Sequence, residues 1–170
     1  MSKDVIGRCK LCGQERKLTF EHVPPEKAFN SSSVKLLSFE DSLKLVAGTD
    51  DKEPLDISNL KGITQQRGSG GYYLCSQCNN NTGSWYIREY VTFAKTISYI
   101  LSKRPSENSK ICTFELLDLY PLRLFKAIMT LFCDINNDCF GDESLRQFLI
   151  NRESTNFNHD KYKVYFYISK

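Results

Sequence analysis

Apolar positions recur at helical spacing in the stretch "SWYIREYVTFAKTISYILSK", residues 84–103. The residues Ile87, Val91, Ala94 and Leu101 share one face of a helix drawn through this stretch, and further apolar residues lie beside that face. Such a stripe is typical of an amphipathic helix that packs on a hydrophobic core. Residues 84–103 are therefore predicted to form a core helix.

Two further helices and two strands are predicted in the second half of the chain. "PLRLFKAIMTLFCDI", residues 121–135, begins with a proline, which suits the first turn of a helix. "DESLRQFLINRE", residues 142–153, has the pattern of a short helix. "ICTFELLDL" (111–119) and "YKVYFYIS" (162–169) are predicted strands, the second because aromatic and β-branched residues alternate along it. The last strand reaches the final residues, so an edge strand and a sheet that continues in a longer chain are both open.

The first half of the chain has the pattern of strands and loops. "LTFEH", residues 18–22, is a predicted strand. "LLSFEDSLKLVAGTDDKEPLDISNLKG", residues 36–62, has short apolar stretches broken by Gly-Thr-Asp-Asp and Glu-Pro, which predicts strands and loops. The glycine-rich "QQRGSGGYY", residues 65–73, predicts a flexible loop. It is not a Walker loop, because no Gly-Lys-Ser/Thr follows it.

Composition and charge narrow the class of protein. Hydrophobic residues make up 41% and charged residues 25% of the 170 residues, as in soluble globular domains. No apolar run approaches the roughly 20 residues of a membrane span, and the first residues lack the apolar core of a signal peptide. A cytoplasmic location without membrane contact is therefore expected. The net charge of +3 permits binding to nucleic acid without requiring it.

The strongest chemical signal is a pair of CxxC motifs, Cys9-Lys-Leu-Cys12 and Cys75-Ser-Gln-Cys78. The chain has seven cysteines, an odd number, and no secretion signal, so metal ligation is favoured over disulfides. Two residues between thiolates allow both sulfurs to reach one ion, and two such pairs complete a tetrahedral structural zinc site. Two separate sites, a thioredoxin-like redox pair and unliganded thiols remain alternatives.

The remaining cysteines lack this pair spacing. Cys112 and Cys133 lie in apolar contexts and are predicted to be small core residues. Cys139 receives no role.

The second signal is Glu21-His22, directly before Val23 and two prolines, together with Asn79 directly after the second cysteine pair. In this order the chain resembles the HNH endonucleases of the ββα-metal fold. It is most similar to the zinc-containing members, whose pattern is CxxC, then Asp/Glu-His near a proline, then CxxC-Asn and a helix. The Holliday-junction-resolving endonucleases of phages share that order. The resemblance covers residues 9–100.

The resemblance implies roles for three residues. His22 is expected to be the general base that activates water, and Glu21 and Asn79 are expected to hold a catalytic Mg²⁺ or Mn²⁺. Imidazole suits proton transfer near neutral pH, and Mg²⁺ prefers oxygen ligands. In the family a further asparagine usually precedes the second cysteine pair and orients the histidine. This chain has "GSGGYYL" there, and Asn59 is the nearest asparagine upstream.

Basic residues close to these motifs in sequence are candidates for phosphate contacts. They are Lys10, Arg16, Lys17, Lys27 and Arg67. A solvated basic surface without such contacts is the alternative.

The sequence therefore predicts an α+β fold with a zinc-stabilised ββα-metal (treble-clef) core over residues 1–104. An accessory α+β part is predicted over residues 105–170. The expected function is a divalent-metal-dependent HNH endonuclease that hydrolyses phosphodiester bonds, with DNA as the first expected substrate. A homodimer is compatible with it, because cutting two strands often takes two active sites. The alternative is a non-catalytic zinc module that binds nucleic acid or protein.

Overall fold

A computed structural model describes residues 4–47, 62–103, 118–136 and 141–165 of the chain. The strands are β1 (Ile6–Arg8), β2 (Glu15–His22), β3 (Val34–Leu36), β4 (Ile63–Gln65) and β5 (Gly70–Cys75). The helices are α1 (Phe39–Ala47), α2 (Ser76–Thr82), α3 (Arg88–Ser102), α4 (Pro121–Ile135) and α5 (Glu143–Ile150), with a π-helical segment (Gly83–Ile87) between α2 and α3. The prediction of an α+β fold is confirmed.

The main sheet has the strand order β1-β2-β5 and is antiparallel throughout. Leu18 of β2 pairs with Cys75, and His22 pairs with Gly70 at the other end of the same ladder. The register shifts once, between Thr19 and Phe20. This pairing places the start of α2, which follows β5 directly, beside the hairpin that joins β1 to β2.

Helices α2 and α3 form one continuous path through the π-helical segment, which confirms the predicted helix at residues 84–103. Its deepest point is Tyr86 in that segment, whose hydroxyl donates a 2.9 Å hydrogen bond to the carbonyl oxygen of Leu149. The expectation of a core helix is wrong for α3, because none of its side chains is buried. Tyr86 is instead a buried residue of this helical path, in the π-helical segment that precedes α3 and contacts α4.

Helix α4 is the core helix of the described structure. Met129 and Cys133 of α4 pack with Leu18 and Leu74 of the main sheet and with Phe148 of α5 in one hydrophobic cluster. The assignment of Cys133 to the core is confirmed, because its side chain is fully buried. Residues from both predicted parts of the chain therefore share one core.

The sequence prediction was wrong at α1, where strands and loops were expected. Ser38 precedes this helix, and its hydroxyl accepts a hydrogen bond from the backbone N–H of Asp41 and donates one to the Asp41 carboxylate. This exchange is a capping arrangement that starts a helix. The pattern of short, broken apolar stretches does not reveal it.

Of the strand predicted at residues 162–169, the described part, residues 162–165, is not a strand. Asn158 holds a turn there, because its side chain accepts from the N–H of Lys161 and its carbonyl accepts from the N–H of Tyr162. Residues 166–169, Cys112, Cys139 and most of the predicted strand 111–119 lie outside the described residues.

Among the helices described, none is long and apolar enough to cross a membrane.

Candidate metal centre and adjoining cleft

The two CxxC motifs come together at one end of the main sheet. Cys9 and Cys12 lie in the hairpin between β1 and β2, Cys75 ends β5, and Cys78 lies in the first turn of α2. Their four Sγ atoms all lie within 4.8 Å of one another. Four thiolates around one zinc ion at about 2.3 Å stand roughly 3.8 Å apart, so this donor set fits a tetrahedral ion. The cluster can hold one metal ion and is compatible with structural zinc.

The hydrogen bonds of the cluster also suit thiolate ligands. The backbone N–H of Cys75 donates to the Sγ of Cys9 over 3.3 Å. Hydrogen bonding from Cys78 lowers the pKa of Cys9 to about 4, despite burial. The same hydrogen bond raises the pKa of Cys78, and burial raises the pKa of Cys12. Sulfurs this close cannot all ionise without a cation among them, and a zinc ion bound here would supply the required charge.

A cleft of about 200 Å³ lies beside this centre, between the end of β2 and the helix that follows the second cysteine pair. Its lining residues are Phe20, Glu21, His22, Pro25, Glu26, Asn79, Gly83 and Ile87. The three residues singled out from the sequence, Glu21, His22 and Asn79, therefore line one cleft.

The imidazole of His22 is oriented by the glycine-rich loop. Its Nε2 lies 2.8 Å from the carbonyl oxygen of Arg67. A carbonyl oxygen only accepts hydrogen bonds, so Nε2 carries the proton when the ring is neutral. The lone pair is then on Nδ1, which is the atom left to accept a proton.

The amide of Asn79 is oriented by Thr19. The Nδ2 group of Asn79 donates to Thr19 Oγ1 over 3.0 Å, and Thr19 Oγ1 donates to the carbonyl oxygen of Leu74 over 3.1 Å. Because these two bonds distinguish the amide nitrogen from the amide oxygen, Oδ1 is the atom of Asn79 left for a ligand. An amide oxygen is a suitable donor to Mg²⁺ or Mn²⁺.

Glu21 is the least accessible of the three, because it faces a second buried carboxyl group. Asp134, near the end of α4, is fully buried, and Glu21 is only 7% exposed. The two carboxyl groups are close enough for each to alter the pKa of the other. No N–H or O–H group of the described residues donates to Glu21 Oε2 or to either carboxylate oxygen of Asp134. One carboxyl must therefore keep a proton and donate it to the other.

Burial is the main cause of the altered proton affinity of this pair. It raises the pKa of Glu21 to about 7 and that of Asp134 to about 9. The positive charge of Lys10 partly offsets this increase by lowering the pKa of Asp134. Lys10 Nζ also donates to the backbone carbonyl oxygen of Asp134 over 2.6 Å. The sequence analysis missed Asp134, because no spacing links it to Glu21 along the chain.

Asn30 is a second residue that the sequence analysis missed. Its Nδ2 donates to the carbonyl oxygens of Pro24 (2.5 Å) and Ser69 (2.7 Å), and its Oδ1 accepts from the N–H of Ser69 at 2.7 Å. These bonds join the turn after His22 to the loop that orients it. Asn30 stands six residues after Pro24, and only its position after a proline-rich turn signals it in the sequence.

The glycine-rich segment is tightly packed at this point instead of forming the flexible loop that was predicted. Gly68 has a φ of 84°, a conformation that favours glycine. A side chain there would collide with the backbone of Asn30, and one at Gly70 would collide with the backbone of Glu21. The glycines therefore allow this segment to approach Asn30 and Glu21, of which Glu21 lines the cleft.

The five basic residues named from the sequence do not form one surface. Lys10 is engaged with Asp134 and lies over the ring of Tyr73. Lys17 pairs with Asp4, and Arg16 donates to Gln77. Arg16 and Lys17 lie near the start of β2, at the end of the strand opposite His22.

The other two basic residues are near cleft residues. Lys27 is exposed and directly follows Glu26 of the cleft wall. Arg67 is exposed, and its own backbone carbonyl group is the one that His22 contacts.

Comparison with protein-family models, with curated proteins and with solved structures gave no match to this chain.

Proposed function

We propose that the protein is a divalent-metal-dependent endonuclease of the HNH type, with DNA as its first expected substrate. His22 is the general base, Glu21 and Asn79 hold Mg²⁺ or Mn²⁺, and the four-cysteine centre holds a structural zinc ion. In this proposal β2, β5 and α2 form a ββα-metal core.

The observation that supports it most is the convergence of His22, Glu21 and Asn79 on one cleft. Glu21 and Asn79 supply two oxygen donors from different elements, and His22 supplies a nitrogen base with its proton on Nε2 and its lone pair on Nδ1. A base beside oxygen donors to a hard cation is the arrangement that metal-assisted phosphodiester hydrolysis requires.

In the reaction, His22 Nδ1 takes a proton from water as the water oxygen attacks the phosphorus atom. The bond from phosphorus to the leaving oxygen then breaks, and the leaving oxygen keeps the electron pair and takes a proton from solvent. Glu21 and Asn79 would hold Mg²⁺ or Mn²⁺, which would supply charge stabilisation at the phosphate and the leaving oxygen. Arg67 and Lys27 are exposed, and in this proposal they would contact neighbouring phosphates and hold the strand across the cleft.

The test uses the two histidines of the chain as a matched pair. Zinc-loaded protein is incubated with supercoiled plasmid and with single-stranded circular DNA, in Mn²⁺, in Mg²⁺ and without either cation. We expect cleavage in either cation, none without them, and a loss of at least about 100-fold in rate for His22→Ala. His159→Ala, which removes the other histidine, is expected to cleave like the wild type. Equal cleavage by the His22 variant would remove His22 from its role.

The burial of Glu21 against Asp134 favours a second candidate, a zinc module that binds nucleic acid without cutting it. A carboxyl group that shares a proton with its neighbour is a weak cation ligand until that proton leaves. In this case the zinc-loaded wild type would bind DNA but cleave neither substrate in any cation. Cleavage that depends on His22 would exclude it.

A further inference from the structure

Two exposed aromatic rings stand beside the cleft on adjacent strands. Phe20 of β2 and Tyr72 of β5 are cross-strand partners, and they remain 38% and 47% exposed. Their ring centroids lie 5.6 Å apart in an edge-to-face arrangement. Phe20 is itself one wall of the cleft. The pair therefore forms an apolar surface that continues directly from the candidate site.

The pair is connected to His22 through Phe20. The rings of Phe20 and His22 are edge-to-face, with centroids 5.1 Å apart. The two residues are two positions apart on β2, so they occupy the same face of the sheet about 6.6 Å apart along the strand. Gly70, the partner of His22 across the ladder, has no side chain, and the ring of Phe20 lies over it. Three rings therefore form a row that ends at the proposed base.

Stabilisation of the sheet alone explains a cross-strand aromatic pair, but not its position. Such pairs stabilise antiparallel sheets whether or not they are exposed. Here one member lines the cleft and contacts the proposed base, and the exposed Arg67 lies in the loop whose carbonyl group contacts His22. Exposed aromatic rings combined with basic side chains are the features that bind unpaired bases and the strand that carries them.

We propose that Phe20 and Tyr72 stack against an unpaired base, so that the substrate class is single-stranded or locally unpaired nucleic acid. This inference rests on the proposed function, because it assigns the substrate of that same site. Bases within a duplex stack on one another and leave no face free for these rings. A single strand, a loop or a branch point presents a free face.

The experiment measures binding separately from cleavage. Fluorescence anisotropy of the zinc-loaded protein, in buffer without Mg²⁺ or Mn²⁺, gives its Kd for a labelled 12-nucleotide single strand and for the matching duplex. We expect the wild type to prefer the single strand. Phe20→Leu and Tyr72→Leu are each expected to weaken single-strand binding about tenfold and to change duplex binding less than twofold.

Two control variants separate stacking from folding. Tyr72→Phe keeps the ring and is expected to bind like the wild type. Tyr99→Leu removes an exposed tyrosine on α3, twelve residues and about 18 Å beyond Ile87 of the cleft wall, and is expected to have no effect. Thermal melting of each variant confirms that it is folded.

The outcomes separate the inference from the proposed function. Single-strand binding that is unchanged in both leucine variants would overturn the inference, as would an equal loss on single strand and duplex. Cleavage that depends on His22 would still support the proposed function in either case. A wild type that neither cleaves DNA nor binds either oligonucleotide would overturn both.

Discussion

The Nε2 atom of His22 lies 2.8 Å from the carbonyl oxygen of Arg67, a residue of the loop that enters β5. This contact fixes the tautomer of the imidazole and leaves Nδ1 as the proton acceptor. In metal sites, a histidine commonly donates the N–H of its second ring nitrogen to a carboxylate or carbonyl group, which fixes the orientation of the ring. The orientation of the proposed base therefore depends on how firmly the loop is held.

Asn30 is expected to hold that loop. Asn30→Ala removes three hydrogen bonds, those to the Pro24 carbonyl, the Ser69 carbonyl and the Ser69 N–H, and among the described residues the Ser69 carbonyl keeps only its bond from the N–H of Val23. We expect the free energy of unfolding to fall by about 2–4 kcal/mol, measured by urea denaturation. We also expect the cleavage rate to fall in conditions where the variant is still folded.

The matched control for Asn30 is Asn136→Ala. It removes a single bond, from Asn136 Nδ2 to the carbonyl oxygen of Phe132, at the end of α4. A change of less than about 1 kcal/mol is expected there. Equal destabilisation by the two variants would contradict the assigned role of Asn30.

Thr19 is expected to act through Asn79. Thr19→Val keeps the shape of the side chain but removes the acceptor for Asn79 Nδ2, so the amide is no longer held with Oδ1 free. We expect affinity for Mn²⁺, measured by electron paramagnetic resonance, to fall about tenfold while zinc content stays unchanged. Thr64→Val, on exposed β4, is the control. Unchanged Mn²⁺ affinity in Thr19→Val would argue against ligation by Asn79.

The buried pair of Glu21 and Asp134 is expected to make stability depend on pH. Burial raises both pKa values above those of the unfolded chain, so the folded state holds protons that the unfolded state releases. The contribution of these bound protons to the free energy of unfolding is fully present below about pH 4. It is lost as pH rises through the folded-state pKa values of about 7 and about 9. The free energy of unfolding should therefore fall with rising pH over this range.

Asp134→Asn tests this dependence, because an amide donates to Glu21 without titrating. Relative to the wild type, the variant should gain about 1–3 kcal/mol of stability between pH 6 and pH 9. Urea unfolding of zinc-loaded protein without other divalent ions measures it. Comparison with the wild type cancels the pH dependence of zinc binding. Asp160→Asn, at an exposed position, should show no such gain, and a gain of the same size there would refute the assignment.

The cysteine centre is expected to contain zinc. Purified protein should carry about one zinc ion per chain, and Cys75→Ser should lower that content and the melting temperature, because a structural zinc ion contributes roughly 10 kcal/mol or more. Cys133→Ala removes a buried core cysteine and should keep the zinc. Elemental analysis and thermal melting provide the readouts. Protein that melts equally well without metal would contradict a structural role.

Local patterns were sufficient for part of the fold. The helix at Pro121–Ile135 and the strand ending at His22 were predicted because apolar periodicity and a first-turn proline are properties of a short stretch. Each cysteine pair was recognised because ligand spacing within a pair is also local. The structure brings the two predicted pairs together. Helix α1 was missed because its start depends on the exchange between Ser38 and Asp41 more than on apolar periodicity.

The sequence by itself therefore determined which four cysteines could hold a metal ion, and it identified Glu21, His22 and Asn79 as candidates for a neighbouring site. Only the tertiary structure decided what surrounds them. Packing of α4 on the sheet brings Asp134 to Glu21, and the ladder between β2 and β5 brings the Arg67 loop to His22. These contacts join residues far apart in the chain, so their positions depend on the packing of whole elements and leave no spacing to recognise.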